Sequence, residues 1–256
     1  MQVVTNSIIF YFVYPILIIT SIIIGSYLAK KLYHNKAKVW KLVGLEASVI
    51  AIFGLILSFT LNSANVEYRN RTANINVETD ALAQMYRASL FMNPDIRWHV
   101  KKYLIDYTSK QLNINDKSWT HEIMLDSIAK INKNFIQYLL DLHKDSTNDN
   151  DVSTLLNHHN KICTYFYRNT FSYTERTPNI IMFLLIIGSL LIGMFLGFVN
   201  SFSIGYKSNI IPSVYTFIMS VAIIAICDLD NPKTGMIRPD LRNMEYLYKS
   251  LKNNPD

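Results

Sequence analysis

The second apolar run of the chain does not stop where a membrane would. Leu42–Leu61 reads LVGLEASVIAIFGLILSFTL and continues as NSANVEYRNRTANINVETDALAQMYR, with no proline or glycine before Pro94. About 20 apolar residues at 1.5 Å each make a helix as long as the hydrocarbon core is thick. The absence of a breaker beyond Leu61 predicts one rod that leaves the lipid and runs deep into water. A chain with such a segment is an integral membrane protein, and polar groups are carried on one of its membrane helices.

Three further runs are each close to the length that a bilayer requires: Ser7–Ala29, Asn179–Val199 and Asn209–Cys227. Half of the residues are hydrophobic and 17% are charged, but the apolar ones are clumped into these runs rather than spread as in a soluble core. The first run lacks a basic leader and is followed by Lys30-Lys31 rather than a small-residue cleavage site, so it reads as a retained span. The expected architecture is all-α: four transmembrane helices, with a membrane-proximal helical domain between spans two and three. The expected boundaries are a first helix pair at 7–62, an extramembrane helical domain at 63–178, a second helix pair at 179–228 and a polar tail at 229–256.

The net charge of +6 does not point to nucleic acid. Lys30, Lys31, Lys36, Lys38 and Lys41 crowd the loop between the first two spans, where the lipid bilayer is the obvious partner. That loop favours an N-terminus outside the cytoplasm. Arg69, Arg71, Lys161, Arg168, Arg176, Lys233, Arg238, Arg242 and Lys249 lie on the opposite side and favour the reverse, so the orientation stays open. Cys163 and Cys227 form no CxxC pair and no disulfide framework.

The region between spans two and three has helical periodicity throughout. Asn93-Pro94-Asp95 is a start signal for a helix carrying Ile96, Val100, Tyr103, Leu104 and Tyr107. After a turn near Asn113–Asp116, a second helix presents Ile128, Ile131, Phe135, Ile136, Leu139 and Leu140. Asp145–Ser153 reads as a loop, and a further helix is expected from Thr154 towards Arg176, with Leu155, Leu156, Ile162, Phe166 and Tyr173.

Two stripes run along the second span. Ala47, Ala51, Gly54, Ser58, Asn62, Asn65 and Arg69 recur at three or four residues, a small and increasingly polar face. Such a face suits either close helix packing or an aqueous path. A neighbouring stripe holds Glu46, Phe53, Thr60 and Glu67, and then Arg71 and Glu78, and is expected to meet water. Glu46 lies about one turn inside a span, where an uncompensated charge is costly. Glu67 and Arg71 have the i,i+4 spacing of a helix ion pair. The candidate polar membrane face is therefore Glu46, Ser58, Thr60, Asn62, Glu67, Arg71 and Glu78. Asp228 and Asp230, where the fourth span ends in Asp228-Leu229-Asp230-Asn231-Pro232-Lys233-Thr234-Gly235, are a candidate charged mouth in a symmetric assembly, or else simply mark the edge of the lipid.

Catalytic signatures are missing. His121-Glu122 is followed by Leu125 where a zinc protease needs histidine, and the members of the His158-His159 doublet point apart on a helix. With no nucleotide, nucleophile-elbow or metal motif in the sequence, neither enzyme activity, a cofactor nor a metal site is expected.

Two blocks resemble the bestrophin-like proteins of bacteria. Leu55-Ile56-Leu57-Ser58-Phe59-Thr60, with Tyr68, Arg71, Glu78, Ala81, Tyr86 and Arg87, looks like the first signature of that family. Asp228-Leu229-Asp230-Asn231-Pro232-Lys233-Thr234-Gly235-Met236-Ile237-Arg238 looks like the second. Ser58 stands where the family has glycine, and Thr79 where it has alanine. The resemblance implies a multi-pass protein of the bacterial inner membrane, assembled as a homo-oligomer, with the second helix beside a path for small inorganic ions. It also places the middle domain in the cytosol, against the orientation that the first loop favours. The two functional expectations are an oligomeric ion channel or permeation protein, and a non-conducting scaffold or sensor whose helical domain binds a partner.

Overall fold

A computed structural model describes residues 8–32, 45–113, 121–144, 146–201, 209–233 and 235–253. The described residues are helical and include no strand. In chain order they form α1 (Ile8–Leu32), α2 (Leu45–Ser89), α3 (Pro94–Leu112), α4 (His121–His143), α5 (Asp149–Ser172), α6 (Asn179–Asn200), α7 (Ile210–Leu229) and α8 (Arg242–Asn253). Four of these, α1, α2, α6 and α7, are long and apolar enough to cross a membrane. The uninterrupted rod expected from the sequence is present: α2 has 45 residues, about 68 Å at the α-helical rise.

The chain divides into two compact units. The first takes in the chain up to Val66 together with Arg176–Asn231 and Gly235–Ile237. Its tightest contact is between α1 and α6. A side-chain carbon at Gly25 would run into the Met194 carbonyl, and one at Gly197 would run into the Ile22 carbonyl. The two backbones thus touch where both helices carry glycine, and Ser26 Oγ donates to the Gly197 carbonyl across the contact at 2.9 Å. Deeper in, the Tyr14 and Ser189 hydroxyls share a buried 2.7 Å hydrogen bond, which leaves neither polar group bare in an apolar setting. From α2, Phe53 lies over Gly188 of α6.

The second unit comprises Glu67–Glu175, Pro232–Thr234 and Arg238–Asp256. One core unites Ile75, Leu82 and Met85 of α2 with Ile96, Val100 and Leu104 of α3, Ile128 and Phe135 of α4, and Leu155, Ile162 and Phe166 of α5. Asn93 and Pro94 start α3 as expected, proline occupying a position whose N–H would have no partner. Leu140 and Leu156 depart from the expected core: both are exposed. The expected Asp145–Ser153 loop is also shorter. A 3₁₀ turn at Ser146–Asn148 leads straight into α5, whose first turn carries Asp149 and Asp151. Acidic side chains there complement the positive end of the helix dipole, so residues that look like a loop by composition are a helix start.

The tail contributes an unexpected element. α8 places Met244 and Leu251 in the core of the second unit, with Leu247 against its edge. The spacing Met244, Leu247, Tyr248, Leu251 is the signal for this amphipathic helix in an otherwise polar stretch.

Candidate functional site

Along α2 the two stripes have different surroundings. Ala47, Ala51, Ser58, Asn62, Asn65 and Arg69 are exposed. Gly54, on the same stripe, has nothing within 4 Å of where a side-chain carbon would stand. The neighbouring stripe turns inward: Phe53, Thr60, Arg71 and Glu78 are buried and Glu67 is half-buried. The expectation that this second stripe meets water therefore does not hold for Thr60, Arg71 and Glu78. They are covered by their own chain, and association with further chains can only add to that burial. The side chain of Glu46 lies outside the described residues, as do Lys36, Lys38 and Lys41.

Each buried polar group on α2 has a distinct arrangement. Thr60 Oγ1 donates to the Ile56 carbonyl one turn back at 2.9 Å, the usual way for a hydroxyl to be satisfied within an apolar helix. Arg71 is among the largest fully buried side chains of the described residues. Its Nε donates to the Ser172 carbonyl at 2.9 Å and its Nη2 to the Glu175 carbonyl at 2.6 Å. Ser172 is the last residue of α5, where backbone acceptors lack helical partners and the dipole is negative, and Glu175 lies just beyond it. A planar guanidinium meets both needs at once.

Two turns further on, Glu78 lies about 25 Å beyond Leu61, outside the apolar segment. Its Oε1 accepts from the Tyr107 hydroxyl and from Gln111 Nε2, each at 2.6 Å. Its Oε2 accepts from Asn169 Nδ2 at 3.1 Å. Two helices, α3 and α5, thus aim donors at a carboxyl on a third. Burial nevertheless pushes the Glu78 carboxyl up to about 7, because three neutral donors only partly replace lost water. Asn169 Oδ1, Thr170 Oγ1 and the Tyr173 hydroxyl are buried close to one another in sequence, and none has a hydrogen-bond partner among the described residues.

Next to this cluster, His159 packs its ring against Phe135 and Tyr103, with Cys163 Sγ 3.7 Å from its Nε2. Burial pushes His159 down to about 4 and Cys163 up to about 11, so both are neutral near pH 7. The pair is not a thiolate–imidazolium nucleophile. Among the described residues, no group of three or more His, Cys, Asp and Glu side chains could hold a metal ion.

The loop after α7 is built around Asp228. Its Oδ1 accepts from the Tyr11 hydroxyl at 2.8 Å and from the Met236 N–H at 2.7 Å. Its Oδ2 accepts from the Ile237 N–H at 2.7 Å. Asp230 Oδ2 accepts from the Thr177 N–H at 3.2 Å. Gly235 completes the turn: a side-chain carbon there would lie 2.6 Å from the Asp228 carbonyl oxygen and 2.7 Å from that of Asn231. Asp228, in the last turn of α7, is thus tied to the backbone of the loop that follows. The sequence marks these residues through their density of Asp, Pro and Gly but says nothing of Tyr11, 217 positions away.

The candidate residues therefore fall into separate places. Ser58 and Asn62 lie on the open face of α2, Arg71 and Glu78 in the helical unit, Asp228 in the last turn of α7 and Asp230 just beyond it. Comparison with curated proteins and with solved structures gives no match. The Bestrophin-like domain matches residues 20–238, which include the long helix, the helical unit and the Asp228 loop, and the chain belongs to that family.

Proposed function

We propose that the protein is a homo-oligomeric, multi-pass protein of the bacterial inner membrane that lets small inorganic ions permeate without catalysing a covalent reaction. The observation that carries this reading is the open face of α2. A membrane-length helix leaves Ala47, Ala51, Gly54, Ser58 and Asn62 uncovered by its own chain, while its opposite face is packed. Small side chains allow several copies of a helix to approach a common axis. Hydroxyl and amide groups at the end of the stripe would offer ions partial replacement of their water shells. Four spans are too few to enclose a path alone, so symmetry would have to supply the rest.

Purified full-length protein in liposomes tests this. Passage of small anions or cations is expected, with Asn62→Lys and Asn62→Asp shifting the anion-to-cation preference in opposite directions. Absence of flux in every salt, with a monomeric mass in detergent, sinks the reading. A non-conducting scaffold draws support from the apolar residues that share the exposed side of α2, namely Val49, Ile52, Leu55 and Phe59. In that case charges at Asn62 leave no trace in flux, and the helix face serves only contact with lipid or protein.

A further inference from the structure

We propose that Glu78 is a proton-binding site that sets how tightly the end of α5 is held against α2 and α3. The argument starts from the hydrogen-bond inventory of the cluster. With Glu78 ionised, its two oxygens accept from Tyr107, Gln111 and Asn169. Among the described residues no cation pairs with the carboxyl, and Asn169 Oδ1 is buried with no donor. Asn169 Oδ1 is then one donor short, and a buried acceptor without a partner is costly.

A proton from solvent supplies that donor. Protonated at Oε2, Glu78 turns from acceptor to donor towards Asn169, and rotation of the Asn169 amide brings Oδ1 round to accept. The bond at 3.1 Å reverses its direction, while the two bonds to Oε1 remain as they are. Release of the proton to water restores the first arrangement. Asn169 lies three residues before Ser172, whose carbonyl Arg71 holds, so the proton acts on the turn of α5 that is docked against α2.

The neighbours leave Glu78 as the group that titrates near neutral pH. From α3, Tyr103 and Tyr107 are held well above the ordinary tyrosine range, chiefly by burial. From α5 and the residue that follows it, burial also raises Cys163 and Tyr173, and lowers His159 to about 4. Arg71, on Glu78's own helix, stays a cation. This site does not depend on ion permeation and is tested without it.

The experiment uses the full-length protein in phosphatidylcholine nanodiscs with isotope-labelled glutamate. Infrared difference spectra from pH 5 to 9 follow the C=O band of protonated carboxyls, with Glu78→Gln as the subtraction. A Glu78-dependent band that disappears with a midpoint near 7 is expected. A Glu78-dependent titration finished below pH 5.5, or no such titration, overturns the proposal. Hydrogen exchange at 166–172, corrected for the intrinsic pH effect, should be roughly three- to tenfold slower at pH 6 than at pH 8, the scale of one hydrogen bond. Glu78→Gln can donate to Asn169 Oδ1 at every pH and should keep the slow rate throughout. Should that variant fail to fold, Tyr107→Phe decides: one donor to the carboxylate is lost, so the midpoint must rise. An unchanged or lowered midpoint overturns the assignment.

Discussion

Arg71 illustrates how a charge is tolerated where water is excluded. It is fully buried, and the partners that hold it include two backbone carbonyls, one at the end of α5 and one just beyond it. Arg71→Met should destabilise the folded protein by about 3 kcal/mol, since charge-assisted bonds are worth about 1.5–3 kcal/mol each and packing offsets part of the loss. Arg71→Lys should recover little, because an ammonium cannot span two carbonyls as a fork does. Thermal unfolding of the three proteins in one detergent checks both statements. Glu78 has the opposite sign of pH dependence from a paired surface carboxylate. Its folded value of about 7 lies above its ordinary 4.5, so its contribution to stability is full below pH 4.5 and is lost as pH rises through 7. Wild type should therefore unfold at lower temperature at pH 8 than at pH 5.5, by more than Glu78→Gln does over the same interval. An equal drop in the two proteins contradicts this. Neither role is written in the local sequence. Glu67 and Arg71 have the spacing of a pair, yet the arginine is drawn to carbonyls about 100 positions on, and Glu78 to donors 29, 33 and 91 positions away.

At the scale of the helix, α2 was legible in length but not in orientation. Bilayer thickness and the lack of a breaker fix a long rod, because both are properties of contiguous sequence. Which stripe is covered depends on helices from elsewhere in the chain, and small residues are compatible with either answer. The glycines separate the two cases. Gly193-Met194-Phe195-Leu196-Gly197 has the spacing that lets membrane helices touch, and α1 meets it with Gly25. Gly54 has the same composition and open space around it. Gly25→Ala or Gly197→Ala should therefore lower the unfolding temperature sharply, since the added carbon meets backbone that cannot move aside. Gly54→Ala should leave it unchanged or slightly raised, with a gain of up to about 1 kcal/mol from helix propensity. A comparable loss from all three would mean that the open stripe is not open in the folded chain.

Over the whole molecule, the division between covered and uncovered residues constrains any permeation path more than the position of charge does. Burial within one chain survives assembly, so Thr60, Arg71 and Glu78 are poor candidates for a pore wall, whereas Ser58, Asn62 and Asn65 remain eligible. The prediction is a pattern of accessibility. Single cysteines at Ser58, Asn62 and Asn65 should react with a membrane-impermeant, water-soluble thiol reagent in liposomes, and reaction at Ser58 or Asn62 should reduce ion flux. Thr60→Cys, close by in sequence but on the packed face, should react at least tenfold more slowly and leave flux unchanged; such a ratio corresponds to about 1.4 kcal/mol of opening free energy. The native Cys227 is buried and Cys163 half-buried, so the unmodified protein sets the background. Reaction at Thr60→Cys with flux block, and protection at Ser58→Cys, would move the path to the opposite side of α2 and would require the first unit to open. Reaction at Asn62→Cys and Asn65→Cys without any change in flux would favour a helix face that meets water or a partner but conducts nothing.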